Sequence, residues 1–217
     1  LFAAEAVATP SQSLRAPARR AFSKRALESA LTVAGFVVDE WLLDIGPFAA
    51  CMAHLDADAA SDAFAVAVDA LARGLGERAA EALAKAKAAS NPRLVLEATL
   101  LDADFNLALG RGDDAVRLYF EARRMDQSDA RPVAGLARVS LACGDAAGAY
   151  ELACTATRID PVDPSAAVAA ALAANGLEGR EAFARWRLAS NLSPDDAAIA
   201  IAASRAASSF GKHSLAL

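Results

Sequence analysis

At 217 residues the chain has room for one or two domains and a sizeable core. Its 22 basic and 27 acidic side chains leave a net charge of −5, which gives no electrostatic footprint for nucleic acid. Apolar residues make up 55 %, yet alanine supplies most of them, at roughly a quarter of the chain. No apolar run reaches the roughly 18 residues a membrane helix needs, so a protein without a membrane span is expected.

Cys51, Cys143 and Cys154 are an odd number without CxxC spacing. A disulfide framework is therefore not expected, and a reducing, cytoplasmic compartment is. Basic residues are mostly Arg, which with the alanine excess suggests a GC-rich bacterial genome. The sequence opens on Leu1 rather than Met, which reads as a processed product or an excised fragment.

In chain order, residues 1–23 carry Arg15, Arg19 and Arg20 against a single acid, Glu5, together with Pro10 and Pro17. They read as a flexible basic lead-in. Residues 24–60 hold two helical candidates that act as N-terminal capping helices or a degenerate repeat. In the first, Leu27, Leu31, Ala34, Val38 and Trp41 recur at three- and four-residue steps, predicting an amphipathic helix from Ser23 to Asp44. Ile45-Gly46-Pro47 breaks it, and a second helix starts at Phe48 and runs through His54.

Residues 61–196 then repeat a pattern of helix, Gly turn, helix, closing turn. The third unit shows it best. Leu136, Ala137, Val139 and Leu141 give one apolar stripe, Gly144-Asp145 breaks it, and Ala149, Tyr150, Ala153, Cys154 and Ala156 give another before Asp160-Pro161 ends the unit. The closing positions Pro92, Gln127, Pro161 and Pro194 stand 35, 34 and 33 residues apart. Such a period marks stacked two-helix units, since one unit cannot bury its apolar face alone. Residues 197–217 form a last, C-terminal capping helix and a tail that frays after Gly211.

These units resemble the tetratricopeptide repeat (TPR), with small residues at positions 8, 20 and 27 and proline at 32. The second unit, from Leu96, places Ala103, Ala115 and Ala122 there, with Tyr119 at position 24. The third, from Ala130, places Ala137, Ala149, Ala156 and Pro161. The fourth, from Asp163, places Ala170, Ala182, Ala189 and Pro194, with Trp186 at position 24. The first, from Ser61, places Val68, Ala80 and Pro92, but Lys87 falls at position 27. Sliding its second helix by one residue brings Ala79 and Ala86 to the small positions instead. The resemblance implies an all-α, right-handed α-solenoid with capping helices at both ends. Phe64, Leu101, Phe105, Tyr119, Phe120, Leu136 and Trp186 are expected as large anchors, Trp41 as another, and Cys143 and Cys154 as small core fillers.

The resemblance also implies a partner: a segment of another protein held in a concave groove lined by positions 2, 5, 9 and 12 of each first helix. Position 2 across the first three units is Asp62, Glu97 and Arg131. Position 9 runs Asp69, Asp104, Arg138 and Ala171, then Arg205 in the final helix. The inferred groove changes from acidic to basic and orients its partner by charge. The bland alternative is that Asp104 with Arg138, and Glu97 with Arg131, form ordinary surface bridges worth about 0–1 kcal/mol. The subtype that captures chaperone C-termini needs Lys at position 5 and Asn at position 9 of its first unit, where Ala65 and Asp69 stand, so that subtype is rejected.

No nucleophile motif, P-loop or dinucleotide fingerprint is present, and the Gly74/Gly76 and Gly110/Gly112 pairs are explained by inter-helix turns. His54, Asp56 and Asp58 read as an exposed acidic helix end, not a metal site. No catalytic residue, cofactor or metal is expected. Two functions follow: a TPR scaffold or adaptor, or the substrate-recruiting region of a larger enzyme such as a protein glycosyltransferase. Weak self-association through the alanine-rich end faces is a third expectation.

Overall fold

The computed structural model describes residues 2–4, 24–45, 48–55, 59–175 and 179–211. The basic lead-in around Arg15, Arg19 and Arg20, the Gly46-Pro47 break, residues 56–58 and the tail from Lys212 lie outside them, as do the side chains of Trp41, Cys51 and His54. The chain divides into two compact units, residues 1–105 and 106–217.

The first unit opens with strand β1 (Phe2–Ala4) and helix α1 (Lys24–Val33), followed by strands β2 (Phe36–Ile45) and β3 (Phe48–Leu55). The three strands form an antiparallel sheet in the order β1-β3-β2. This corrects the expectation of two N-terminal capping helices: α1 stands, but residues 36–55 are a β-hairpin. Gly35 stops the helix. Its φ of 83° is left-handed geometry that a β-carbon disfavours, and its N–H donates to the Thr32 carbonyl at 3.0 Å. Beyond it, Val37 and Val38 beside Phe36 favour the extended chain. The register shifts between Val38 and Glu40 and again between Trp41 and Leu43, so β2 carries bulge-like irregularities against β3.

Helices α2 (Ala59–Ala72), α3 (Gly76–Ala86) and the first turns of α4 (Pro92–Ala108) complete this unit. They bury Ala60, Phe64, Ala67, Ala82, Leu83, Ala86, Leu94 and Ala98 in one cluster. The slide in the first repeat is right for α3, where Ala79 and Ala86 are fully buried. It extends to α2 as well: Ala67 is buried and Val68 is 43 % exposed, so Ala67 is the small residue at position 8 and the repeat starts at Ala60.

The second unit holds the last turn of α4 and helices α5 (Gly112–Met125), α6 (Arg131–Ala142), α7 (Ala146–Ile159), α8 (Pro164–Ala174), α9 (Gly179–Leu192) and α10 (Ala197–Ser209). Helix α6 packs on α7, α8 packs on both α6 and α7, and α9 packs on α8 and α10. Each hairpin thus receives the first helix of the next. The seams are alanine: Ala137, Ala149, Ala153, Ala156, Ala166, Ala169 and Ala170 are fully buried. Among the expected anchors, Tyr119 and Trp186 are buried, while Phe120 is 50 % exposed. Cys143 is exposed and Cys154 half-buried, both as free thiols, so neither is a core filler. Cys143 is the C-cap of α6, beyond the last residue that faces the seam.

The repeat is also written in the backbone. Leu75, Arg111 and Asp145 each donate to the carbonyl five residues earlier (Ala70, Asn106 and Ser140), closing the same turn within the first three hairpins. Asp129, Asp163 and Asp196 each donate to the carbonyl three residues earlier (Asp126, Asp160 and Ser193), closing the turn between hairpins.

Candidate functional site

Helix α10 starts at the Asp196 cap, whose carboxylate accepts from the N–H groups of Ala198 and Ile199 at 2.9 and 3.1 Å. Its inner face, with Ile199, Ala202, Ala203 and Ala206, packs on Ala167 and Ala171 of α8 and Trp186 of α9. At its far end Phe210 stacks on Phe183 of α9, with ring centroids 5.6 Å apart, which fixes that end of α10 against α9.

Where the three helices diverge they leave a pocket of about 550 Å³. Leu172 and Asn175 line it from α8 and its C-cap, Ala182 and Trp186 from α9, and Ala202, Arg205, Ala206 and Ser209 from α10. The Trp186 indole N–H donates to Asn175 Oδ1 at 2.7 Å. An indole N–H only donates, so it fixes the Asn175 amide with its oxygen toward the tryptophan and leaves the NH₂ as the remaining polar group. Arg205 is exposed and makes no ion pair with a described residue.

The other expected partner-binding residues fall in two classes. Asp62, Asp69 and Asp104 are exposed. Asp69 pairs with Arg73, four residues on and just past the end of α2, at 2.9 Å. With the first repeat starting at Ala60, Asp62 and Asp69 stand at positions 3 and 10, and positions 5 and 9 hold Phe64 and Val68. Neither is the Lys or Asn of the chaperone-binding subtype. Glu97 is 7 % exposed and accepts from Ser29 Oγ of α1 at 2.8 Å, while Arg93, four residues before it, pairs with Glu28 at 3.0 Å. Position 2 of α4 is therefore engaged by α1. In the second unit Arg131 grips the buried Asp129 through Nε and Nη2, and Nη2 of Arg138 donates to the buried Tyr119 hydroxyl at 3.2 Å. Both cations are half-buried structural groups. Ala171 is fully buried.

By the Asp163 and Asp196 caps, α8 and α10 are related by 33 residues, so Ser204 is the counterpart of Ala171 and Arg205 lies one position beyond. That extra step puts Arg205 in the pocket wall.

Two further polar groups stand out. Asp163 caps α8, accepting from the Ala166 N–H at 2.7 Å; burial pushes its carboxyl above the usual carboxylate value, which that bond and the Arg131 charge only partly offset. Tyr150 of α7 donates to Glu181 of α9 at 2.8 Å, and Arg185 donates to the same carboxylate at 2.8 Å and lies over the Tyr150 ring. The Arg185 bond, with that of Tyr150, holds Glu181 below its ordinary value. Burial, with Glu181, pushes the Tyr150 hydroxyl up.

Solved structures of TPR proteins share this fold. The thermophilic TPR protein TTC0263 of Thermus thermophilus superposes with a TM-score of 0.61 at 19 % identity, covering 73 % of this chain and 86 % of that one. PilF of Pseudomonas aeruginosa gives 0.54 at 23 % identity over 72 % and 71 %. Residues 41 to the end of MamA from Desulfovibrio magneticus give 0.50 at 18 % over 73 % and 89 %. No protein-family model and no curated protein sequence matches the chain. The fold is thus the TPR-type α-solenoid class, with a β-hairpin where an N-terminal capping helix was expected. No helix among the described residues is long and apolar enough to cross a membrane.

Proposed function

We propose that the chain is a protein-binding scaffold that holds a segment of a partner protein and acts by binding, not catalysis. The stack of two-helix repeats carries this reading: each hairpin delivers side chains in a fixed register, and none of the buried polar groups described above forms a nucleophile, base and oxyanion arrangement. The free thiols of Cys143 and Cys154 suit a reducing, cytoplasmic setting. The partner is a protein rather than nucleic acid, given the net charge of −5. Weak self-association through the alanine-rich ends belongs to the same proposal, and light scattering on the isolated chain addresses it.

Charge orients the partner in this reading. Of the seven expected contacts, Asp62, Asp69, Asp104 and Arg205 are presented on the surface, whereas Glu97 joins α4 to α1, and Arg131 and Arg138 bond to Asp129 and to Tyr119 of α5. The test is capture of partners from the native organism, followed by titration of the purified partner with Asp104→Lys and Arg205→Glu. Each reversal should weaken binding and reduce its salt dependence, and Arg205→Glu, which loses no ion pair to a described residue, should do so with little change in melting. Affinity unchanged by both reversals would overturn the oriented-partner reading.

A further inference from the structure

We propose that the pocket between α8, α9 and α10 is an acidic-peptide site, which takes the side-chain carboxylate of an Asp or Glu in the partner segment together with an adjacent apolar residue. This rests on the scaffold reading above and gives the partner its chemistry.

The pocket's polar equipment is one-sided. Arg205 supplies guanidinium N–H groups, and Asn175 keeps an NH₂ once its oxygen is taken by the Trp186 indole. Ser209 is already committed, its hydroxyl donating to the Arg205 carbonyl at 3.0 Å. Among the described residues, no carboxylate lines the pocket. A site that offers donors and a cation selects an acceptor that carries negative charge, and a planar guanidinium matches a carboxylate in two-pronged geometry. The rest of the lining is apolar: Leu172, Ala182, Trp186, Ala202 and Ala206. A volume of about 550 Å³ holds a carboxylate side chain and a neighbouring aliphatic one.

The walls are also held in place. The Trp186–Asn175 bond ties the end of α8 to α9, and the Phe183–Phe210 stack ties the end of α10 to α9. Little ordering is left for a ligand to impose, which favours binding by a short extended segment.

The test uses the full chain against a positional-scanning library of octapeptides that are N-acetylated and C-amidated, so that side chains carry the only carboxylates. Wild type should retain peptides with Asp or Glu beside Leu, Ile or Val over their Asn or Gln counterparts by about tenfold, the scale of a charge-assisted hydrogen-bonded contact. Arg205→Gln and Asn175→Asp should each erase that preference, with circular dichroism and melting unchanged. Retention of peptides without acidic preference, or a preference that survives in Arg205→Gln, overturns the pocket assignment and leaves the scaffold reading standing. If no library peptide is held by wild type, both fall. Competition by N-acetylaspartate as strong as by the peptides would make this a small-molecule carboxylate site, and dimerisation abolished by Arg205→Gln would make a second copy the occupant. Either outcome overturns the peptide assignment.

Discussion

The ring of Tyr119 lies on the bare backbone of Gly135: a β-carbon built on that glycine would stand 2.2 Å from Tyr119 Cε1. The tyrosine is fully buried between α5 and α6, and Arg138, one turn on from the glycine, donates to its hydroxyl. A missing side chain on one helix thus admits the large one on the next. Gly135→Ala should lower stability by about 1–3 kcal/mol through overpacking, although alanine in a helix interior ordinarily gains about 1 kcal/mol over glycine. A denaturant melt at neutral pH checks the sign, and a stabilised variant would refute the close approach.

The alanine seam makes a second prediction. Ala149 and Ala156 are fully buried against the neighbouring helices, so Ala149→Leu or Ala156→Leu should each cost about 1–3 kcal/mol. Leucine at the exposed Ala84 of α3 should be near neutral, within about 0.5 kcal/mol. Thermal melts of the three variants separate seam from surface.

Asp163 should weaken the fold when ionised. Its folded carboxyl titrates above the unfolded value of 3.8, so the native state holds its proton to higher pH than the unfolded chain. The contribution is favourable below the unfolded value and is lost as pH rises through the folded one. Asp163→Asn keeps a capping oxygen without the charge. It should melt higher than wild type at pH 7, with the gap closing as pH falls toward 4.

Glu181 carries the opposite sign. Its carboxyl is held below the unfolded value of 4.5, so its bonds to Arg185 and Tyr150 stabilise the fold above that value and fade as pH falls through the folded one. Glu181→Gln should lower stability at pH 7 by less than about 1 kcal/mol, because the pair is partly exposed. Wild type and variant should converge in acid.

Besides its packing on β2 and α2, helix α1 is joined to α4 by the Ser29–Glu97 and Glu28–Arg93 contacts. Ser29→Ala removes one donor from a buried carboxylate and should cost about 1 kcal/mol. Faster amide exchange in α1, with α2 and α3 unchanged, is the expected signature.

The first three hairpins are legible because two signals coincide at each of them. Alanines at the close-contact positions set the helix faces, and Gly74, Gly110 and Gly144 mark the turns with positive φ. The first repeat slipped by one residue because Ala67 and Val68 are both apolar and adjacent. Only burial shows which of them faces α3. The 36–55 hairpin was missed because Leu27, Leu31, Ala34, Val38 and Trp41 satisfy a helical period whether or not Gly35 interrupts it. Phe120 misled for a related reason: it adjoins Tyr119, and one of two neighbouring aromatics on a helix must point away. At the pocket, Arg205 was readable as a cation on the last helix. The Asn175–Trp186 bond was not, since residues 11 apart on two helices meet only after the turn between them folds.

Alanine at the seams leaves those positions almost nowhere to drift. Apart from glycine, every replacement adds atoms where the helices already touch, and glycine there loosens the helix itself. Random change in such a chain is therefore channelled to the outward faces, where the side chains that meet other molecules sit, so the architecture holds its frame fixed while its binding specificity is open to revision.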